Sequence, residues 1–161
     1  MAQPYIDASN GRRFAAFAAA VIVLIVDPTT RRFLMLSSPR KRGRPGWEAV
    51  NGAVEAGEAL IEAVEREVAE EAGAEVAIEH LGAVDAWTYR YDDRVPHMIS
   101  IAFAATYVSG EIVPGDDMAG CEARWMTVDE LRDLEATGVA LVPEDISTYE
   151  RALVALDAMR S

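Results

Sequence analysis

The 161-residue sequence has one cysteine, Cys121, and two histidines. A lone thiol cannot form an internal disulfide, and no Cys/His cluster offers a structural zinc site. Basic residues are also scarce, with 15 Lys and Arg against 27 Asp and Glu, a net charge of −12 and a pI near 4.5. This balance argues against a nucleic-acid partner held through a broad basic face, because duplex binding depends on neutralising many phosphates. It is compatible with a small phosphorylated substrate, which a metal ion can bridge to an acidic site. Long hydrophobic runs are missing too. The longest, Phe14 to Val26 behind Arg12-Arg13, has thirteen residues, fewer than the about 20 that span a bilayer as a helix. Asp27–Arg32 and a second apolar run, Phe33–Leu36, follow it without a small-residue cleavage pattern. The pair therefore reads as a buried hairpin and not as an export signal. The expectation is a cytoplasmic protein with no membrane partner. Repeats, low-complexity tracts and interdomain linkers are absent. With 51% hydrophobic and 26% charged residues and a mean hydropathy of +0.05, residues 1–161 are expected to form a single domain with a substantial core.

What is present is a mixed series of elements. A basic loop, Pro39–Gly46, precedes a short strand at Trp47–Val50 and a glycine-punctuated loop at Gly52–Gly57. Residues 59–72 are good helix formers, and Gly73 suits a left-handed stop. Strands are expected around Gly82–Tyr91 and His97–Val108, a turn at Gly115–Asp117, and a further strand at Ala123–Met126. Thr127 and Glu130 have capping-box spacing. A last helix from about Glu144 repeats apolar residues at Ile146, Tyr149, Leu153, Leu156 and Met159, one buried stripe. Strands and covering helices in mixed order indicate an α/β or α+β sandwich.

The 59–72 helix carries the chemistry. At 100° per residue, Ile61, Val64, Val68 and Ala72 share one face, and Glu67, Glu70 and Glu71 share an adjoining one. Three carboxylates crowded beside a core-facing stripe repel one another when empty. A Glu-rich face is ordinarily just solvated. Here it abuts the buried stripe and is entered from a loop whose glycines allow close approach of a ligand. A converging all-oxygen set suits Mg²⁺ or Mn²⁺, not zinc or copper.

Written out, Gly52-x5-Glu58-x7-Arg66-Glu67-Val68-x-Glu70-Glu71-x-Gly73-Ala74 resembles the Nudix box, in which only Ala74 is smaller than the pattern prefers. Seven fixed letters at about 7% each, over about 140 starting positions, give roughly one chance match in a million chains, so coincidence is set aside. The resemblance implies an α/β/α sandwich with a mixed β-sheet and a pyrophosphohydrolase of nucleoside diphosphate-linked compounds that uses Mg²⁺. It further implies Glu67, Glu70 and Glu71 as metal ligands, with a backbone carbonyl at Asn51 or Gly52 completing the shell. Glu67 is the first candidate for the base that activates water, although a metal-bound carboxylate is a weak base. Arg66 would orient the cluster, partnered by Glu58. Members of the family often add an acid from a later loop. Where one is expected this chain has Ala119, leaving Asp117 and Glu122 as substitutes; a turn aspartate and an exposed strand glutamate read equally well.

Trp47-x-x-Val50-x-Gly52, with the late Arg124-Trp125 strand and the terminal helix, looks like the dihydroneopterin triphosphate and deoxynucleoside triphosphate pyrophosphatases. Trp47 reads equally as core. Arg40, Arg42 and Arg44, with Lys41, could steer or bind distal phosphates, or be a solvated loop. His80 and His97 have no spacing that suggests catalysis. The expectation is a small-molecule nucleotide or pteridine triphosphate as substrate. ADP-ribose and dinucleoside polyphosphate hydrolysis, or a Nudix regulator that binds without cleaving, are the alternatives. The sequence leaves oligomeric state open, a homodimer included.

Overall fold

The computed structural model describes residues 5–37 and 46–161, so the basic positions Arg40, Arg42 and Arg44 lie outside the described residues. Along the chain come β1 (Tyr5–Asp7), β2 (Arg13–Ala15), β3 (Ala18–Val26), β4 (Phe33–Ser37), β5 (Gly46–Glu48) and β6 (Val50–Ala53). Helix α1 (Leu60–Glu67) follows and continues as a single π-turn, Val68–Ala72. Then come β7 (Ala77–Tyr89), β8 (Met98–Ser109), a 3₁₀ turn (Asp116–Met118), β9 (Ala123–Met126), α2 (Val128–Ala136), β10 (Ala140–Val142) and α3 (Ile146–Met159).

Among the described residues β1 and β2 pair only with each other, whereas the other eight strands make one mixed sheet with β10, β5, β4, β3, β8 and β7 side by side. β3 is its centre. It runs parallel to β8 over nine register pairs, Ala18↔Met98 to Val26↔Thr106, and its other edge is shared by β6 and β4. This explains the unbroken apolar run: a strand covered on both faces needs no polar alternation. Ile22, Leu24 and Val26 pack with Val128 and Leu131 of α2 and with Ile146, Tyr149 and Leu156 of α3. Val21, Val23 and Ile25 pack with Ala63, Val64, Val68 and Ala72 on the opposite side. The expected α/β/α sandwich with a mixed β-sheet is the fold formed.

Several local expectations need correcting. β3 and β4 flank the Asp27–Arg32 turn as expected, but they share one register pair, Val26↔Phe33. β4 pairs along Phe33–Leu36 with β9 instead, so the hairpin opens into a corner around which the sheet splits. Ile61 is 42% exposed, because the stripe that faces the sheet is Ala63-Val64, Glu67-Val68 and Glu71-Ala72. These are two adjacent columns with a four-residue step, one holding Ala63 with the carboxylates Glu67 and Glu71 and the other the apolar Val64, Val68 and Ala72. Gly73 ends the helix at φ +140° and ψ 141°, outside the expected left-handed helical region but in one that only glycine adopts freely. β7 begins at Ala77, five residues before Gly82, and Gly82 (φ +109°) lies where its register with β8 shifts. The Thr127/Glu130 capping box is present in both directions. On α3, Ala152 takes an inner position while Met159, in the last turn, is 49% exposed.

Candidate active site

β6 brings Asn51 and Gly52 beneath the carboxylate face of α1 and the π-turn. Gly52 lies against β3 opposite Val21, and a Cβ there would overlap the Glu67 carboxylate, so glycine leaves the space the carboxylate fills. Glu71 is held from the same strand, its Oε2 accepting from Asn51 N–H at 3.0 Å. The π-turn closes with Gly73 N–H donating to Val68 O at 3.1 Å. Such widened turns recur at functional sites, and this one carries Glu70 and Glu71.

Arg66 organises the cluster. Its Nε and Nη2 donate to the two oxygens of Glu58 at 2.8 and 3.0 Å, its Nη1 to Glu67 at 2.7 Å and Glu70 at 3.2 Å, and its Nη2 also to Ala53 O at 2.9 Å. Glu58 Oε2 also accepts from Glu55 N–H at 2.9 Å, which ties the entry loop to the helix. The Arg66 hydrogen bonds hold the Glu58 carboxyl down at about 2, the loop amide contributing, and raise the guanidinium pKa in return. Burial pushes Glu67 in the opposite direction, above the ordinary carboxylate range. Arg66 opposes that rise, and Glu71 and Glu70 add to it. The residue is 7% exposed. Burying charge among like charges is costly, and a divalent cation would relieve it.

The donor set fits such a cation chemically, being carboxylates and a strand carbonyl, the ligands of Mg²⁺ and Mn²⁺. Among the described residues no three acidic, histidine or cysteine side chains already close on one point; Arg66 holds two of the carboxylates. A cleft of about 1260 Å³ opens over the cluster, lined by Glu67, Glu70 and Glu71, the β6 residues Asn51 and Gly52, and Arg66.

The structure brings Asp117 to this cleft, beside Asp116 on the 3₁₀ turn. Glu122 is not there, being exposed and paired with Arg124 at 2.6 Å. Trp47 does not line the cleft either; it packs against the core under the Arg124 guanidinium, 4.9 Å from its ring centroid. Sequence reasoning missed the buried Glu48, together with Glu144, Tyr89, Arg90 and Tyr91, all cleft residues. Glu48 sits on a three-residue strand too short to show alternation, and the others lie far from the box in sequence.

A second cavity of about 470 Å³ adjoins the first, sharing Ala20, Asn51, Tyr89 and Glu144. Trp87, Tyr89, Ile22, Val142 and Pro143 give it apolar walls. Its polar end is fixed, with Asp85 accepting from Thr148 Oγ1 at 2.8 Å and pairing with Arg151 at 2.9 Å. Among the described residues no helix is long and apolar enough to cross a membrane.

The NUDIX domain model matches residues 16–144. The NAD-capped RNA hydrolase NudC of Pseudomonas aeruginosa is 37% identical over 126 residues, covering 77% of this chain and 41% of that protein. The NudC of Deinococcus radiodurans is 36% identical over 132 residues, covering 80% and 44%. The chain thus spans less than half the length of these curated relatives, and neither bears the triphosphate pyrophosphatase name that the Trp47 motif suggested. In fold, a possible asymmetric diadenosine tetraphosphate hydrolase from Jonesia denitrificans superposes with a TM-score of 0.69 at 18% identity, covering 88% of this chain and 96% of that one. The MutT protein of Methanosarcina mazei gives a TM-score of 0.59 at 23% identity, covering 90% and 96%. With the box carboxylates gathered over Gly52 and the family model matched across most of the sequence, this chain belongs to the NUDIX domain family of hydrolases.

Proposed function

We propose that this protein is a Mg²⁺-dependent pyrophosphohydrolase of nucleoside diphosphate-linked compounds. The observation that carries the reading is that Glu67, Glu70 and Glu71 line one cleft together with Gly52, with Glu67 desolvated and fitted against that glycine. Glu67, Glu70, Glu71 and the Gly52 carbonyl would hold the cation. When bound, it neutralises the diphosphate and orients and acidifies the attacking water. Arg66 keeps Glu67 and Glu70 in place, and Glu58 keeps Arg66 in place. Asp117 is the later-loop acid nearest to this arrangement. Glu67 is the first candidate for the base from its position in the box, although as a ligand of the cation it would be a weaker base than a free carboxylate. The aromatic-walled cavity beside the cleft takes the heterocycle.

Two substrate readings remain in competition. Trp47-x-x-Val50-x-Gly52 favours a deoxynucleoside or pteridine triphosphate, whereas the relatives of known name favour an NAD-linked diphosphate. Incubation with dNTPs, dihydroneopterin triphosphate, NAD⁺, ADP-ribose and diadenosine polyphosphates in Mg²⁺, with products separated by ion exchange, decides between them. Turnover of NAD⁺ or ADP-ribose without turnover of any triphosphate would remove the first reading. Stoichiometric binding without any hydrolysis would make the protein a nucleotide-binding regulator instead.

A further inference from the structure

The cleft and the aromatic cavity adjoin, and β7 with the loop after it contributes to the lining of both. Asp85, Trp87 and Tyr89 of β7 line the cavity, at alternate positions as a strand's period of two requires. Tyr89 lines both spaces, and beyond it Arg90, Tyr91 and Val95 of the β7–β8 loop line only the cleft. At about 3.3 Å per residue, Asp85 to Tyr89 already spans roughly 13 Å, and the loop continues that track into the cleft that the carboxylates line.

The prolongation has its own chemistry. Among the described cleft-lining residues, Glu48, Glu55, Glu67, Glu70, Glu71, Asp116, Asp117 and Glu144 are acidic, while Arg66 and Arg90 are basic. Arg66 is committed to Glu58, Glu67 and Glu70. Arg90 pairs with Asp93, but both side chains are well exposed, at 65% and 87%. Exposed pairs of this kind contribute little and exchange readily for a stronger anion. Tyr91 is 63% exposed, a large aromatic on the wall of a polar cleft. The loop does not need either side chain for its shape. Asp92 Oδ1 accepts from Arg94 N–H and Val95 N–H, each at 2.7 Å, and Tyr91 N–H donates to Val95 O at 3.1 Å.

We infer that Arg90 and Tyr91 form a second recognition end, selecting substrates that carry another planar ring beyond the diphosphate, with Arg90 on a phosphate and Tyr91 stacked on that ring. This rests on the pyrophosphohydrolase reading and sharpens it toward two-ringed diphosphates over single-ringed triphosphates. A stacked base on an aromatic side chain is worth about 5- to 150-fold in affinity.

The test compares NAD⁺ with dATP on the wild type and on Tyr91→Ala, Tyr91→Phe, Arg90→Ala and Arg94→Ala. Arg94 shares the loop but does not line the cleft. The readouts are kcat/KM in Mg²⁺ and Kd by calorimetry with Ca²⁺ in place of Mg²⁺. Tyr91→Ala is expected to lower the NAD⁺/dATP preference at least five-fold in both. Tyr91→Phe should keep the preference and Arg94→Ala should leave it alone, while Arg90→Ala should weaken both ligands. Equal losses for the two ligands with Tyr91→Ala, or no loss, would overturn the inference. Absence of turnover in the wild type with the Kd preference intact would instead count against the enzymatic reading alone.

Discussion

Replacing Gly52 with alanine places a methyl group where the Glu67 carboxylate now lies. Gly52 has no positive φ, so alanine fits the backbone and the conflict falls on Glu67. Since non-bonded carbon contacts settle at about 3.5–4.0 Å, the carboxylate must retreat by roughly 1 Å or more. Its 2.7 Å bond from Arg66 Nη1 then lengthens beyond hydrogen-bonding range. The stability cost is about 1–2 kcal/mol, because a hydrogen bond to a charged group is worth about 1.5–3 kcal/mol and Arg66 keeps its other partners. At this chain length that lowers Tm by roughly 2–8 °C, taking 2–4 °C per kcal/mol. Activity should suffer far more, since a misplacement of about 1 Å costs on the order of 100-fold. Gly57→Ala is the matched control. Its φ of +80° strains an alanine, but no atom lies within 4 Å of the added Cβ, so it should lose about 1–2 kcal/mol of stability and no comparable activity. Scanning calorimetry and steady-state hydrolysis of the preferred substrate read both variants. Gly52→Ala with activity within three-fold of Gly57→Ala would refute the placement of Glu67 at the reaction centre.

Glu67→Gln and Glu71→Gln should each lower kcat by orders of magnitude with unchanged circular dichroism. Near-normal turnover in either would show the wrong ligands have been assigned. Because the folded state raises the Glu67 pKa, its charge opposes folding at neutral pH, and the metal-free Glu67→Gln protein should melt no lower than wild type. Glu58 behaves oppositely: held at about 2 against an ordinary 4.5, it contributes stability above pH 4.5 that is lost as pH falls through 2. Glu58→Gln should therefore flatten the acid limb of a Tm-against-pH curve between those values. Arg66→Lys should cost activity nearly as much as Arg66→Ala, because one ammonium cannot serve Glu58, Glu67, Glu70 and Ala53 O together. Tyr149→Phe removes a buried hydrogen bond to Pro143 O, 3.1 Å long, and should lower Tm by a few degrees with kcat unchanged, worth about 1 kcal/mol.

Amino-acid order by itself determined the elements whose causes are local. The buried strand Ala18–Val26 was legible within the run Phe14–Val26 because its apolar residues are continuous, although Phe14 and Phe17 at the start of that run are exposed, and the Thr127/Glu130 cap because its partners are three residues apart. The box was legible for the same reason: Arg66, Glu67, Glu70 and Glu71 sit on one short helix, where backbone geometry alone brings them together. Tertiary structure decided whatever depends on a second segment. That Glu67 and Glu71 belong to the buried stripe follows from the fit of α1 over β6 and from the Gly52 space. The π-turn ends at Gly73, whose close approach to the Glu111 and Val113 backbone leaves no room for a Cβ, a contact that no helical wheel contains. Glu122 turned away from the site and Asp117 toward it because a 3₁₀ turn, not the strand, faces the cleft. The track from Asp85 to Tyr91 exists only because β7 pairs with β8, which in turn lies beside β3, and contacts between segments far apart in sequence leave no periodic trace in either one.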